Sequence, residues 1–545
     1  MKKKIIMLAF LVSVVSFALA ACGDSSKKET KDKKTLRLVT GAVKTLDSVK
    51  GSDEVSFNII QNTQENLLIF KDNKIIPGAA ESYTVSGDKK TYTFKLRKNL
   101  KWSDGKALTS KDYKYAWMRL LNSKSGAPYS FFLFGVVNGE KYFKNEVPAS
   151  EVGIETPDDS TIIVKLSEPI SYFTQIVAFP ALAPQREDVV NKYGSKYGSN
   201  LNTQVYSGPF MVSEWQKGGK IELVRNPNYW NAKEVKLDKV KFTEIKEANT
   251  AYKMFVSNQL DVIAGSGEYL KPLKDGVKEG KWNEINEVGS SVFYTLYNLD
   301  SSNKLLKNKN IRLALSIAIN REGLTEKVMR RNIPAYGLVP EGIQVGNINY
   351  RSEVSEPLKE VMNEDPKNLF IKGLKELGLD PDPSKYEINY LLQNSDAVSK
   401  MQGEYMQNTW KQVIGVNVKL VTSADFSDFL SKVDKGEFDM SSSGWGADYN
   451  DPMTFLDLFT PENGSNYGKY NDERVNELLS KIKTMTDDNE KLKIYKEVER
   501  IEVVDNPAVA PNYFKEIYSF QKKYVKGLEL PRFGGTYQLR WTSIS

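Results

Sequence analysis

From Thr35 to the carboxy-terminal end, short strand-like stretches exchange with helix-like ones, with no internal repeat and no low-complexity tract between them. This is the pattern of mixed α/β domains. Alternation is clearest at Lys90–Arg97, where Tyr92, Phe94 and Leu96 fall on one face. Further strands are expected at Thr35–Thr40, Thr161–Leu166, Ile221–Arg225, Lys239–Ile245, Leu260–Ile263, Val292–Asn298, Tyr386–Gln393, Val416–Leu420 and Glu437–Met440. Helical spacing marks Asp112–Leu121, capped by Thr109 or Ser110, and Ala248–Asn258, Asn310–Asn320, Ala397–Ile414 and Glu473–Val503. A body of ~510 residues is too long for one core and implies two or three domains.

The amino-terminal end sets the location. Met1-Lys2-Lys3-Lys4 is followed by an uncharged apolar run from Ile5 to Ala20 and then by Ala21-Cys22. The run has the character of a signal-peptide core and is short for a spanning helix, which needs ~20 apolar residues. Residues 1–21 are expected to be a signal peptide. Cys22, the only cysteine, stands where a bacterial lipobox places the residue to be acylated. A diacylglycerol on Cys22 would hold the protein on the extracellular face of the cell membrane. The plainer alternative is an ordinary signal peptide with an incidental cysteine. Residues 22–34 are polar and lysine-rich, cannot repay the entropy of ordering, and read as a flexible tether. The lipobox, the tether and the lack of other cysteines point to a Gram-positive source, and no later segment is apolar for long enough to span a bilayer.

Composition removes several kinds of chemistry. The chain has no histidine. With Cys22 committed to lipid, Ser-His-Asp and Cys-His systems and imidazole or thiolate zinc sites are excluded. Carboxylate pairs and oxygen-ligand calcium sites stay open in principle. No EF-hand loop, Walker P-loop or G-x-S-x-G elbow occurs. We therefore expect no enzyme, no metal and no cofactor. The formal net charge of +7 includes three leader lysines, and the remaining charges are interspersed. There is no basic face interleaved with aromatics, so nucleic acid is not an expected partner.

A series of local strings carries a family likeness. Pro77–Tyr83, Tyr92–Lys98 and Lys101-Trp-Ser-Asp-Gly105 come first, then Asp112–Trp117, Ser207-Gly-Pro-Phe210 and Asn226-Pro-Asn-Tyr-Trp230, and finally Pro334-Ala-Tyr-Gly337 and Ile414–Leu420. In this order they resemble the peptide-binding branch of the solute-binding proteins of ABC transporters, over essentially the whole mature chain. The resemblance implies a periplasmic-binding-protein-like α/β fold of the large three-segment type, with two lobes around a hinge and an interdomain cleft. Its segments would be a discontinuous domain I (35–63, 187–294 and 515–545), an inserted domain II (64–186) and domain III (295–514). Oligopeptides are then the expected ligands, a membrane ABC permease the expected partner, and a monomer the expected state.

The string Gly444-Trp-Gly-Ala-Asp-Tyr-Asn-Asp-Pro452 is similar to the one whose Asp pairs with a peptide's free amino terminus, and Asp448 occupies that place. An ammonium taken from water needs a carboxylate at hydrogen-bonding distance, or desolvation dominates. Tyr129 aligns with a tyrosine of the same pocket. Spacing alone leaves another reading open, in which Gly444-Trp445 is a turn with a packed indole and Asp448 a cap. The resemblance further implies β-augmentation of an extended guest, with Ser52, Asp53 and Glu54 as one flanking strand and Ser443, Gly444, Trp445 and Gly446 as the other. Asp53 and Glu54 read equally well as a solvated helix start. Phe293, Tyr294, Trp445, Tyr449 and Phe131 are candidates for lining the cleft.

At the peptide's other end the sequence departs from the Gram-negative binders, which reach ligand carboxylates with Arg, His and Lys. The corresponding positions here are Ser442, Val433 and Val398, none cationic, and Arg330 and Arg331 lie near another such position. The expectation is tolerance of longer peptides without a fixed carboxy-terminal anchor. Rival readings are a receptor for hydrophobic signalling peptides, a surface adhesin or chaperone for unfolded segments, and a carboxylate-based hydrolase.

Overall fold

The computed structural model describes residues 34–545 apart from 73, 266, 484 and 486. The leader, Cys22 and the tether up to residue 33 lie outside the described residues. Three sheets organise the molecule. In the first, Thr35–Thr40 runs parallel to Lys239–Glu244, which pairs antiparallel with Lys220–Arg225, and that strand with Phe210–Gln216. The period-two pattern turns Leu36, Leu38, Val240, Phe242, Ile221 and Leu223 inward, where all are buried.

A second, antiparallel sheet is ordered Ala80–Val85, Thr91–Leu96, Thr161–Lys165, Ile154–Asp158. Tyr92, Phe94 and Leu96 are buried on its inner face, as their alternation predicts. Helix Ser110–Leu121 packs on this sheet through Tyr113, Ala116, Trp117 and Leu120. Thr109 and Asp112 close its first turn as a capping box, with the Thr109 N–H donating to Asp112 Oδ2 at 2.8 Å.

The third sheet joins the lobes. Two long strands, Trp282–Tyr297 and Val509–Lys522, pair antiparallel along most of their length. One end of the pair carries Val262–Ala264, and the other carries Met440–Gly446, Glu387–Leu392 and Asn417–Thr422 in that order. The chain passes along this ribbon from the core around Leu38, Phe210 and Phe242 to the core around Leu315, Tyr390 and Trp410, and returns by it. Its register breaks between Val288 and Val292. There a Cβ on Gly289 would lie 2.6 Å from the Lys515 carbonyl oxygen, so only glycine lets the strands approach.

Several elements differ from expectation, among them the strand expected at Val292–Asn298, which already begins at Trp282. The predicted strand Glu437–Met440 begins only at Met440 and continues to Gly446. Gly436, at φ +71°, and the Glu437 N–H bonded to the Lys432 carbonyl keep the preceding residues in the turn that ends helix Phe426–Asp434. The helical run Glu473–Val503 splits into Glu473–Lys483 and Asp488–Arg500, because Asp487 caps the second helix by accepting from Asn489 and Glu490 N–H.

The carboxy-terminal segment is fastened to the loop after helix Glu54–Thr63 by a buried ion pair. Arg540 Nη2 lies 2.5 Å from Glu65 Oε2, and Glu65 also accepts from the Trp230 indole at 3.1 Å and the Tyr229 hydroxyl at 3.2 Å. Breaking such a pair costs about 3–5 kcal/mol, because the remaining charge is stranded.

Candidate ligand cleft

Strand Met440–Gly446 is paired along its whole length on one side, from Ser291↔Gly446 to Tyr297↔Met440. On the other side Glu387–Leu392 meets it only at Met440 and Ser441. From Ser442 to Gly446 that outer edge has no strand partner among the described residues. Ser443, Gly444, Trp445 and Gly446, expected as a flanking strand, are therefore a strand with an open edge, which an extended chain can extend.

The edge leads directly to Asp448, which is 5% exposed. Its backbone N–H donates to Thr454 Oγ1 at 3.1 Å, which fixes the turn, and its carboxylate accepts from the Tyr129 hydroxyl at 3.4 Å. No ion pair reaches this carboxylate among the described residues. Burial, and next the nearby Asp457, push the Asp448 carboxyl well above the usual carboxylate range, against the weaker lowering by Tyr129. Asp457 is itself pushed up to about 7, by burial first. The region is thus buried and rich in carboxyl groups.

Aromatic rings wall the pocket. Tyr129 packs against Phe57, Phe179, Phe132 and Phe131 with ring centroids 4.9–5.7 Å apart, and Trp445 stacks at 6.3 Å. The indole N–H of Trp445 is buried and meets no acceptor. Tyr449 lies flat on Tyr172 at 4.2 Å, and the Asn450 N–H donates to Gln175 Oε1 at 2.7 Å, tying the strand's continuation to helix Phe173–Ala178. Asp448, Tyr129, Trp445, Phe131 and Tyr449 are therefore brought together.

Other expected residues take different roles from those expected. Ser52 and Asp53 do not continue into a flanking strand, because Glu54 opens helix Glu54–Thr63. Asp53 is its N-cap, accepting from Ser56 N–H at 2.8 Å and Ser56 Oγ at 2.9 Å, and at 5% exposure it is buried rather than solvated. Phe293 shares the sheet face of Met440 and stacks on Tyr513 at 4.9 Å, opposite in the pleat to Trp445. Tyr294 is on the Trp445 face but is buried against Phe459. Phe57, Phe132, Phe179, Tyr172 and Gln175 were not read from the sequence. The Phe131-Phe132 pair beside Tyr129 was the one local signal for them.

A two-lobed α/β molecule whose cleft offers an open strand edge is, as a class, a binding protein. Residues 74–467 match the family described as bacterial extracellular solute-binding proteins, family 5 middle. The dipeptide-binding protein DppE of Bacillus subtilis is 30% identical over 94% of both chains. The oligopeptide-binding protein OppA of the same species is 30% identical over 97% of both. The solved structure of Listeria monocytogenes OppA bound to peptide superposes with a TM-score of 0.86 at 30% identity, covering 94% of this chain and 99% of that one. The chain belongs to the family 5 extracellular solute-binding proteins, has their periplasmic-binding-protein-like fold, and is a binding protein rather than an enzyme.

Proposed function

We propose that this protein captures oligopeptides between its lobes and delivers them to the permease of an ABC transporter. The observation that carries the reading is the open edge Ser442–Gly446 ending at Asp448, a buried carboxylate with a tyrosine but, among the described residues, no ion-pair partner beside it. A peptide laid on that edge satisfies its free N–H and C=O groups and places its ammonium on Asp448. Domain I (35–63, 187–294, 515–545) and domain III (295–514) would close on the guest about the ribbon at Gly289, with domain II (64–186) supplying Tyr129. Acylation of Cys22 would hold the receptor, as a monomer, on the outer face of the membrane beside its permease.

Asp448→Asn tests the reading by calorimetry. Truncating one partner of a buried charge pair costs about 2–5 kcal/mol, so peptides with a free amino terminus lose thirtyfold or more in affinity. Their N-acetylated forms, weak from the outset, change little. Equal losses for both would remove Asp448 from this role. The same titrations separate feeding from signalling, because many micromolar ligands indicate uptake and a single nanomolar one indicates a signal receptor.

A further inference from the structure

Strand Trp282–Tyr297 borders the ligand edge only from Ser291 onward, and Trp282 stands ~30 Å away at its other end. Trp282 pairs there with Lys522, in the lobe built on Thr35–Thr40 and Lys239–Glu244. The two residues lie in the wall of an open cavity of about 590 Å³, with Tyr252, Val256, Asn258 and Pro272. Lys522 is 6% exposed, and its ammonium stands over the Phe255 ring at 4.3 Å and the Trp282 ring at 5.3 Å. Those ring faces answer part of its charge. No carboxylate pairs with it among the described residues. The nearby Asp261 is taken by Arg37 Nε at 3.0 Å and by the Tyr524 hydroxyl at 2.7 Å. Burial accordingly pulls Lys522 below the usual lysine range, against the pull of Asp261.

The surroundings are basic. Helix Leu270–Lys278 forms one wall and carries Lys271, Lys274 and Lys278. Its acid Asp275 pairs with Lys271 at 2.6 Å and lies 3.8 Å from Lys278, and Glu279 in the next turn pairs with Lys281 at 2.6 Å. Lys274 rests over the Tyr518 ring at 4.1 Å, and the Lys523 ammonium reaches the turn at Gly280. Neither has an acid partner among the described residues. The chain also enters the lobe at this corner. Arg37 donates to the Asn258 carbonyl at 2.7 Å and binds Asp261, whose carbonyl accepts from the Lys522 N–H at 2.9 Å. From Cys22 to Thr35 an extended chain spans at most ~45 Å.

We propose that this corner rests on an anionic lipid surface, with Lys522 receiving the phosphate of a lipid headgroup in the cavity and the lysines around it held against the surface charge. The inference rests on the reading of Cys22 as a lipid anchor, which would keep the corner within reach of the bilayer. Each lysine held near such a surface raises partition about fivefold, and the gain fades beyond a Debye length. Tyr252 and Val256, the latter 45% exposed, suit the boundary between headgroups and acyl chains.

The test is sedimentation of the chain from residue 22 onward, with Cys22→Ala so that no acyl chain contributes, with vesicles of phosphatidylcholine alone or mixed with phosphatidylglycerol. The protein should bind the mixed vesicles and release them at high salt. Lys274→Gln, Lys278→Gln and Lys523→Gln together should lower that binding at least tenfold, and Lys522→Gln alone about fivefold. The same change at Lys74, Lys98 and Lys101, exposed on the inserted segment, should leave it within about twofold. Equal losses in the two triple variants would overturn the assignment, and so would equal binding to both kinds of vesicle. Glycerol phosphate bound in solution as tightly as the vesicles would overturn the bilayer as the occupant. The corner triple variant should keep the wild-type melting temperature, and it decides the matter where Lys522→Gln unfolds. A native protein without an acyl group on Cys22 would bring down the anchor reading and leave the vesicle result standing.

Discussion

Asp448, Asp451 and Asp457 place three carboxyl groups within ten residues of chain in a part of the molecule poor in cations. Burial pushes Asp451 up to about 6 and Asp457 up to about 7, from an ordinary value of 3.8. The folded state therefore holds more protons than the unfolded chain between pH ~4 and pH ~7, and by linkage stability falls as pH rises through that window. Asp457→Asn removes one of these groups without changing its shape. The variant's ligand-free melting temperature should match the wild type near pH 4 and exceed it by about 2–4 °C at pH 8. A variant no more stable than the wild type at pH 8 would show that Asp457 ionises there at no cost. On the proposed reading, the same acid excess suits a guest's ammonium, which would bring the missing positive charge.

At the scale of single elements, the strand that forms the cleft edge rests on one ring. A Cβ at Gly444 would lie 2.8 Å from Phe293 Cδ1, and that ring is held by its stack on Tyr513. Gly444→Ala should cost about 1–3 kcal/mol by overpacking, and Phe293→Leu in the same chain should recover part of it; thermal unfolding of the single and double variants decides. Much of the element pattern was legible beforehand. Thr35–Thr40, Thr91–Leu96, Lys220–Arg225 and Ala397–Val413 stand within a residue or so of where period and capping put them. Strand Val509–Lys522 was not, because Pro511 interrupts it and a proline argues against a central strand. The ladder accommodates it with a register shift opposite Phe293 and Tyr294. The site divides in the same way. Asp448 and Tyr129 stood out through the strings around them, whereas Phe57, Phe179 and Tyr172 come to the pocket from distant segments that no local pattern connects. Asp53 keeps an extended backbone and caps the helix through Ser56, the helix-start alternative that its sequence equally allows.

For the molecule as a whole, closure depends on the ribbon and on a modest set of contacts between lobes. The cross-lobe pairs Lys44–Asp434 and Lys246–Asp425 are both 3.9 Å long and partly exposed, so each contributes less than about 1 kcal/mol. They guide the approach of the lobes more than they hold them. Gly289→Val, placed against the Lys515 carbonyl, should disturb the angle between the lobes. It should weaken free and N-acetylated peptides by the same factor, leaving their ratio at the wild-type value; a changed ratio would mean that the ribbon also shapes the amino-end pocket. The order of the chain carries one more consequence. Both the return strand Val509–Lys522 and Arg540, the partner of Glu65, come from the last tenth of the sequence. A chain cut before Val509 would therefore lack both the return strand of the third sheet and the partner of Glu65.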